Sequence, residues 1–417
     1  MIGLVDGNNF FVSCEQVFDP ALAGKPVAVL SNNDGCCISR SNEFKALGIA
    51  MGTPFFQLRP LIKKYGLIFR SSNYELYGDM SRRMIAVLHE FVPDVEQYSI
   101  DEAFIFPALS PEDDFFQFGS KIRQTLLQWT GIPSGVGFAA TKTLAKIANH
   151  IGKKSPSGIF VMPGMPQKIL ENVPVSEIWG VGRRLAPQLE RLGIRNAWQL
   201  ACQDHTVMGK KFSSVLAKTI LELQGRPCFA ISPDNELSQS ISCSRSFGKP
   251  VTELKDLEES VAAYIAGAAE KLRREKQSAS GVNVYFQLYP EDISEPISKQ
   301  ITSCTVTFTC ATDDTSRMMS RVRPKLKDIF IPGRRYKKSG AVFFGLESNS
   351  DRIYDLFTPA AAQENSKVFK TVDMLNRKYG KGTVKILGEG LTKPWQMKRE
   401  HLSQSYTTDW GQLLQVK

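Results

Sequence analysis

The sequence predicts an α+β multidomain protein, and three observations predict it. Over the first 165 residues, β-like apolar runs (Pro26 to Leu30, Gly158 to Met162) alternate with helical stretches (Tyr74 to Glu90, Phe115 to Trp129). Residues 174 to 225 then become helical with short turns, and the polar, Pro-containing stretch Gln224 to Ser240 reads as a linker. A long amphipathic run, Glu253 to Lys276, next precedes the β-rich segments Val282 to Tyr289, Thr302 to Cys310 and Gly340 to Leu346, the order expected of a separate α+β domain. From about Ser348 the texture is more broken. A chain of 417 residues with 42% apolar content has room for roughly two to four domains with real cores.

The first element carries the first chemical group. Ile2 to Val5 is apolar without interruption, as a buried strand is, and Gly7-Asn8-Asn9 breaks it, so Asp6 sits at a strand end. Val95 to Ile100 reads as a second strand, closed by Asp101-Glu102 before Ala103-Phe104 resume the apolar pattern. Neighbours in a flat strand point to opposite faces, so Asp101 and Glu102 serve one site only if a hairpin or bulge turns the backbone there. Given that turn, Asp6, Asp101 and Glu102 meet at one sheet edge, and with Gly7 they form a metal set for two Mg²⁺ ions. Hard cations choose carboxylate and carbonyl oxygens, and two of them about 3.5–4 Å apart can clamp the attacking and leaving oxygens of a phosphoryl transfer. The plain alternative is an N-capping Asp and an exposed Asp-Glu turn.

The helical middle holds PVSEIWGVGRRLAPQLERLGI (174 to 194). Helix, Gly180-Val181-Gly182, helix is the pattern of a helix-hairpin-helix, whose glycines let backbone N–H groups approach a phosphate; Arg183 and Arg184 follow at once. Ile178, Leu185, Leu189 and Leu192 lie in helical register around it. An ordinary αα turn is the competing explanation. The net charge of +10 suits a polyanionic partner, and basic residues crowd into Arg321 to Lys327 and Arg334 to Lys338, either an exposed loop face or a phosphate-tracking surface. The eight cysteines include no CxxC knuckle and read as buried free thiols. The start MIGLVDGNNF lacks a basic n-region and a cleavage site, and no run approaches the roughly 20 apolar residues of a membrane span. The expected protein is cytoplasmic, with no membrane partner.

Together these residues resemble a Y-family, translesion DNA polymerase. DGNNFFVSCE is similar to the family's first metal motif, SIDEAF to its second, and TKTLAKIAN (141 to 149) followed by KKSPSG to its third. SNNDGCCISRSNEFKALGIAMGTPFF (31 to 56), SSNYELYGDMS (71 to 81) and the tail GKGTVKILGEGLTKPWQMKREHLSQSYTTDW (380 to 410) resemble the UmuC-like subgroup, so the likeness runs the full length. It implies a right-hand polymerase with a palm (1–28 and 75–166), fingers (29–74), a helical thumb (167–230), a linker (231–240), a little-finger domain (241–347) and a carboxy-terminal extension (348–417). It also implies error-prone synthesis from dNTPs on primer-template DNA, including damaged DNA, without proofreading.

Residue by residue, the resemblance places Phe11 at the steric gate, where many chains of the subgroup have Tyr, with Phe10 packed beside it. Lys45 and Lys146 fall where the family sets cations on the triphosphate; some members use a Tyr and an Arg in the fingers, where this chain has Asn42 and Lys45. Ile38, Ser39 and Gly52 would roof the nascent base pair. Implied partners are a cleaved UmuD-like dimer, a RecA filament and the sliding clamp. The last would engage Leu356 and Phe357, in a segment where Ile353 replaces the glutamine of related clamp-binding peptides. Two other readings stay open on the residues alone. A different palm-type nucleotidyl transferase or cyclase would share Asp6 and Asp101 but would not need Gly180-Val181-Gly182, and a non-catalytic DNA-binding scaffold would not need the acidic triad.

Overall fold

A computed structural model describes residues 1–110, 113–164, 166–231, 237–290, 296–350, 365–380 and 382–412. The chain divides into two compact units, one of Met1–Ser31, Gly35–Asn235 and His401–Lys417, the other of Asn32–Asp34 and Glu236–Glu400.

The first unit contains β1 (Ile2–Gly7), β2 (Val27–Leu30), β3 (Cys37–Arg40), β4 (Ile68–Ser71), β5 (Val95–Gln97), β6 (Glu102–Ile105), β7 (Ser134–Ala139) and β8 (Ile159–Val161). Its larger sheet has the order β5-β6-β1-β7-β8, with a smaller sheet β3-β2-β4 beside it in sequence. β1 lies between antiparallel β6 and β7, and this central place explains its unbroken apolar run. Successive residues serve opposite faces. Leu4 and Phe104 pack with Leu144 and Ala148 of the helix Lys142–Gly152, whereas Val5 and Ala103 pack with Met84 of the helix Tyr74–His89 and Ile122 and Leu126 of the helix Phe115–Thr130.

The strand expected over Val95 to Ile100 is shorter than that and stops at Gln97. β5 ends at Gln97 and β6 starts at Glu102, with a turn between them. The N–H groups of Tyr98 and Ser99 both donate to the Glu102 carbonyl, at 3.0 and 3.1 Å. The Ser99 hydroxyl accepts from the N–H groups of Asp101 and Glu102, at 3.3 and 3.0 Å. A short hydroxyl side chain that bonds the local backbone offers the chain a turn in place of a ladder. This hairpin meets the geometric demand made by adjacent carboxylates.

The helix Lys142–Gly152 is capped by Thr141, whose side chain accepts from the Leu144 N–H. It lies so close to the sheet that a Cβ on Gly137 would come within 2.1 Å of the Asn149 nitrogen, so only glycine fits. Asn149 then donates through Nδ2 to the Leu4 carbonyl at 3.2 Å. At its other end the helix is held by Glu222, fully buried in the helix Ser214–Leu223, whose carboxylate accepts from the Thr143 N–H at 2.9 Å. Negative charge at a helix N-terminus is favourable. The same carboxylate accepts from the N–H groups of Cys228 (2.7 Å) and Phe229 (3.2 Å), and Lys142 donates to the Ala230 carbonyl at 2.6 Å. The opening of the expected Gln224–Ser240 linker is therefore fixed structure.

Two expectations for the middle of the chain are corrected. Between Pro174 and Gly180 there is only a 3₁₀ turn, Val175–Glu177; the α-helix that precedes the glycines is the short Gln167–Leu170, ahead of the expected segment. Pro174 and Gly180, with φ of +88°, bracket too few residues for α-helical hydrogen bonding to propagate. The following helix is Ala186–Arg191, so Leu192 lies past its end and is 46% exposed, while Ile178 and Leu189 are core. Of the cysteines, all eight are free as expected, but only Cys14 and Cys37 are buried, and Cys202 is exposed.

The second unit contains β9 (Ile241–Val251), β10 (Gln277–Leu288), β11 (Ile301–Thr312) and β12 (Tyr336–Ser348) in the order β11-β10-β12-β9, every pair antiparallel. Val261 and Ile265 of the helix Leu254–Arg274 and Met318, Val322 and Leu326 of the helix Thr315–Ile329 pack on Val282, Val284 and Phe343. The basic run Arg321 to Lys327 is therefore helix and not loop. Its Met318-Val322-Leu326 stripe recurs every four residues and turns Arg321, Arg323, Lys325 and Lys327 outward. Within the same unit Arg273 grips Asp373 of the helix Asn365–Tyr379 through two hydrogen bonds of 2.6 and 2.9 Å. Leu356 and Phe357 lie outside the described residues. Among the described residues no helix is long and apolar enough to cross a membrane.

Glu222→Ala would leave three N–H groups of the helix start and linker without their acceptor. The expected cost is about 2–4 kcal/mol, seen as an earlier urea transition of the first unit. A midpoint unchanged from the parent chain would show that the Glu222 contacts carry no stability.

Candidate active site

Three elements bring acidic groups to one end of the larger sheet. Asp6 is the penultimate residue of β1 and faces Glu102, the first residue of β6, as its cross-strand partner. The Gly7 N–H donates to the Asp101 carbonyl at 2.8 Å, which fixes the hairpin against the end of β1. Asp101 also accepts from the Ser99 hydroxyl at 2.7 Å. Burial pushes the Asp6 carboxyl up to about 7; the nearby Lys153 ammonium pulls it back, and the charges of Glu102 and Asp101 push it further up.

The opposing charge comes from one helix, Lys142–Gly152, and its C-cap residue. Lys153 Nζ lies 2.6 Å from Asp6, and Lys146 Nζ lies 2.5 Å from Glu102. The two lysines are seven residues apart, two helical turns, and so share a face. Lys146 is also enclosed by rings, its ammonium 4.1 Å from the Tyr98 centroid and 5.5 Å from that of Trp179. Trp179 Nε1 donates to the Tyr98 hydroxyl at 2.9 Å and fixes the pair edge to face. Asp6, Glu102, Lys146, Asn149, Lys153 and Trp179 line a cleft of about 390 Å³.

The residues expected around the nucleotide divide into two groups. Asn9, in the left-handed region at φ 49°, joins β1 to the helix Phe10–Phe18. Its Oδ1 accepts from Lys45 at 2.5 Å, its Nδ2 donates to Asn42 at 3.0 Å, and its carbonyl accepts from the Ser39 hydroxyl at 3.2 Å. Burial, and then the neighbouring Arg40 and Lys153 charges, lower the Lys45 pKa, while Asp6 opposes that shift. Lys45, Ser39 and Asp6 thus belong to one neighbourhood. Ile38 is half-buried on β3, and Gly52 is exposed in a turn with φ of +81°. Phe10 lies beside Phe11, ring centroids 6.1 Å apart, and its own ring is 3% exposed in the core with Val12, Leu76 and Ile132. Phe11 is half-buried and stacks on Tyr77, with centroids 4.5 Å apart and ring planes 13° apart. Lys146 is engaged with Glu102 and the two rings, so its charge is already committed to the acidic centre.

The donor set is all oxygen and crowded with negative charge, which fits a hard divalent cation. Among the described residues no three Asp, Glu, His or Cys side chains are gathered into a preformed cage. Two of the carboxylates turn to lysines and the third to Ser99, which separates their oxygens. Elsewhere in the unit Gly180, Gly182, Arg183 and Arg184 are all exposed. The Gly182 carbonyl accepts from the N–H groups of Leu185 and Ala186, at 2.9 and 3.0 Å, and so opens the short helix that follows.

Sequence reasoning missed Lys153, Asn9 and the Tyr98–Trp179 pair. Lys153 was visible as a basic residue two helical turns beyond Lys146, at the start of KKSPSG; the other two carry no local signal.

Comparison with known proteins gives the family. A model described as the impB/mucB/samB family matches residues 5–150, its C-terminal domain matches 238–356, and the IMS family HHH motif matches 165–194. A domain of unknown function, DUF4113, matches 366–416. Protein UmuC of Salmonella typhimurium is 41% identical over 100% of both chains, and DNA polymerase IV 2 of Mesorhizobium japonicum is 37% identical over 47% of this chain and 46% of its own. A solved Y-family DNA polymerase chimera of Dbh and Dpo4 shares the fold, with a TM-score of 0.67 at 22% identity, covering 84% of this chain and 100% of that one. The chain belongs to the impB/mucB/samB family and is a UmuC-like member of the Y-family DNA polymerases.

Proposed function

We propose that the Asp6, Asp101 and Glu102 centre joins a dNTP to a primer 3′-OH, and that the flanking lysines and aromatic rings position the triphosphate and sugar. As a UmuC-like Y-family member the protein is an error-prone, template-directed DNA polymerase of translesion synthesis and SOS mutagenesis. The observation that carries the site reading is the acidic strand end matched by two lysines, one in the helix Lys142–Gly152 and one at its C-cap, at 2.5 and 2.6 Å. Such a centre holds anions and cations side by side, as nucleotidyl transfer requires.

Asp6, Asp101, Glu102 and the backbone at Gly7 would hold two Mg²⁺. When bound, these ions supply the charge stabilisation of the attacking and leaving oxygens on which phosphoryl transfer depends. The primer O3′ bonds to the α-phosphorus as the α,β-bridging oxygen departs with pyrophosphate. Lys45 and Lys153 are assigned to the triphosphate, as point charges suited to neutralise phosphate oxygens without a bidentate grip. Lys146 orients Glu102. Phe11 serves as the steric gate, because its ring stands five residues beyond Asp6 with one face backed by Tyr77. Ile38, Ser39 and Gly52 form a small-residue roof, open enough to admit distorted bases.

Primer-template DNA is gripped through its phosphates by the Gly180–Gly182 turn with Arg183 and Arg184, and by the basic outer faces of the second unit. On this reading residues 1–28 and 75–166 are palm, 29–74 fingers, 167–230 thumb, 231–240 linker, 241–347 little finger and 348–417 extension. A processed UmuD-like dimer, RecA and the sliding clamp are the partners, and the protein works in the cytoplasm.

Asp101→Asn and Glu102→Gln should each abolish dNTP incorporation in primer extension while leaving DNA affinity by filter binding intact, since phosphate contacts are elsewhere. Near-normal extension by either purified variant would sink the assignment. Lys153→Ala should raise the KM for dNTP more than it lowers kcat, with the KM of Lys146→Ala less affected; the reverse order would return the triphosphate to Lys146. Replacing both Arg183 and Arg184 by Ala should weaken DNA binding evenly across sequences and lower the salt slope by about 0.9 per lost phosphate contact. An unchanged slope would leave only a structural turn.

A further inference from the structure

A buried carboxylate outside the acidic centre ties the far end of the chain to the ring at the gate. Glu15 lies one helical turn after Phe11 and is fully buried, with the Arg70 charge near enough to favour its ionised form. One of its oxygens accepts from the Tyr77 hydroxyl at 2.7 Å and from the Ser403 hydroxyl at 3.1 Å. Ser403 in turn accepts from Asn73 Nδ2 at 3.0 Å, and the same amide donates to the Gln404 carbonyl at 3.2 Å. Asn73 is itself the N-cap of the helix that carries Tyr77. The bonds run in one direction of donation, from Asn73 to Ser403 to Glu15, with Tyr77 as the second donor, so each hydroxyl proton has one use.

Two further contacts anchor the tail around this chain of bonds. Ser71 and His401 exchange hydrogen bonds of 2.9 Å, and Tyr406 stacks on Phe18, the last residue of the Phe11 helix, at 5.0 Å and 8°. The tail thus holds both helices whose rings meet at Phe11 and Tyr77. Tyr77 is fully buried, and Tyr74 meets both rings edge-on. A steric filter separates substrates that differ by one hydroxyl, so it depends on holding its ring within about 0.5 Å.

We propose that His401–Tyr406 is an intramolecular brace for sugar selection, with Ser403, Glu15 and Tyr77 as positioning residues that set the Phe11 ring. This gives a role to the end of the region that matches a domain of unknown function. It rests on the reading of Phe11 as the gate.

The test uses the full chain and measures the ratio of rNTP to dNTP incorporation on an undamaged template. That ratio is internal to each preparation and independent of its folded fraction. Phe11→Ala should raise it. Ser403→Ala and Tyr77→Phe, which delete one hydroxyl and keep the ring, should each raise it about two- to tenfold, the reach of one hydrogen bond. In a Phe11→Ala background, Ser403→Ala should add nothing, because the brace acts only through that ring. If Phe11→Ala raises the ratio and neither hydroxyl deletion does, the brace is overturned and the gate stands. If Ser403→Ala acts equally with and without the Phe11 ring, the tail loosens the site generally and the brace is also overturned. If Phe11→Ala itself changes nothing, the gate reading falls and the brace with it.

Discussion

The first unit depends on compensating negative charge at the end of a buried strand. Asp6 ends a strand with sheet on both sides, and Glu102 stands opposite it across the ladder. Carboxylates so placed cannot both remain ionised without a positive neighbour, because burial and mutual repulsion act in the same direction. The Lys142–Gly152 helix and its C-cap Lys153 supply that charge twice, and so the helix must lie against the sheet at a fixed height. Gly137 allows the approach, Asn149 fixes it, and Glu222 ties its N-terminus to the helix Ser214–Leu223.

That arrangement has a chemical consequence. A lysine paired with a carboxylate has its charge already spent, whereas one released from it can meet a phosphate. Lys153 is 30% exposed at its side chain, against 17% for Lys146. Lys146 is held by Tyr98 and Trp179, which favour an ammonium that stays in place. Two lysines on one helix face thus have different freedom, one suited to bind and release and the other to hold Glu102.

Much of this was legible in the residues. The apolar run with a terminal Asp6 requires a buried strand with an acidic end. The adjacent Asp101 and Glu102 require a turn, which Ser99 and the β5–β6 hairpin provide, although an unbroken strand up to Ile100 was expected; the polar Gln97 and the self-bonding Ser99 were the cues. The residues alone do not separate Phe10 from Phe11, both aromatic and adjacent, and only the resemblance carries the choice. The left-handed Asn9 decides it, by starting the helix with Phe10 turned to the core. The basic run at Arg321 looked like loop because its charge density hides a four-residue apolar period. Nothing local could reveal Ser403 against Glu15, 388 residues apart in sequence.

The charged and aromatic halves of the site meet at Asn9. Asp6 lies three residues before it and Phe11 two after, so its left-handed backbone sets the angle between the sheet end and the helix Phe10–Phe18. Asparagine tolerates that conformation because its short amide can bond locally. Here the amide also holds Lys45 and Asn42, while the carbonyl accepts from Ser39. Any rotation at this joint would move the Phe11 ring relative to Asp6 and displace Lys45 in the same motion. The helix is restrained at its other end by Phe18 on Tyr406 and at mid-length by Glu15. A lever fixed at its joint, middle and far end has little freedom to tilt, so the proposed gate ring and the proposed acidic centre share one restrained element.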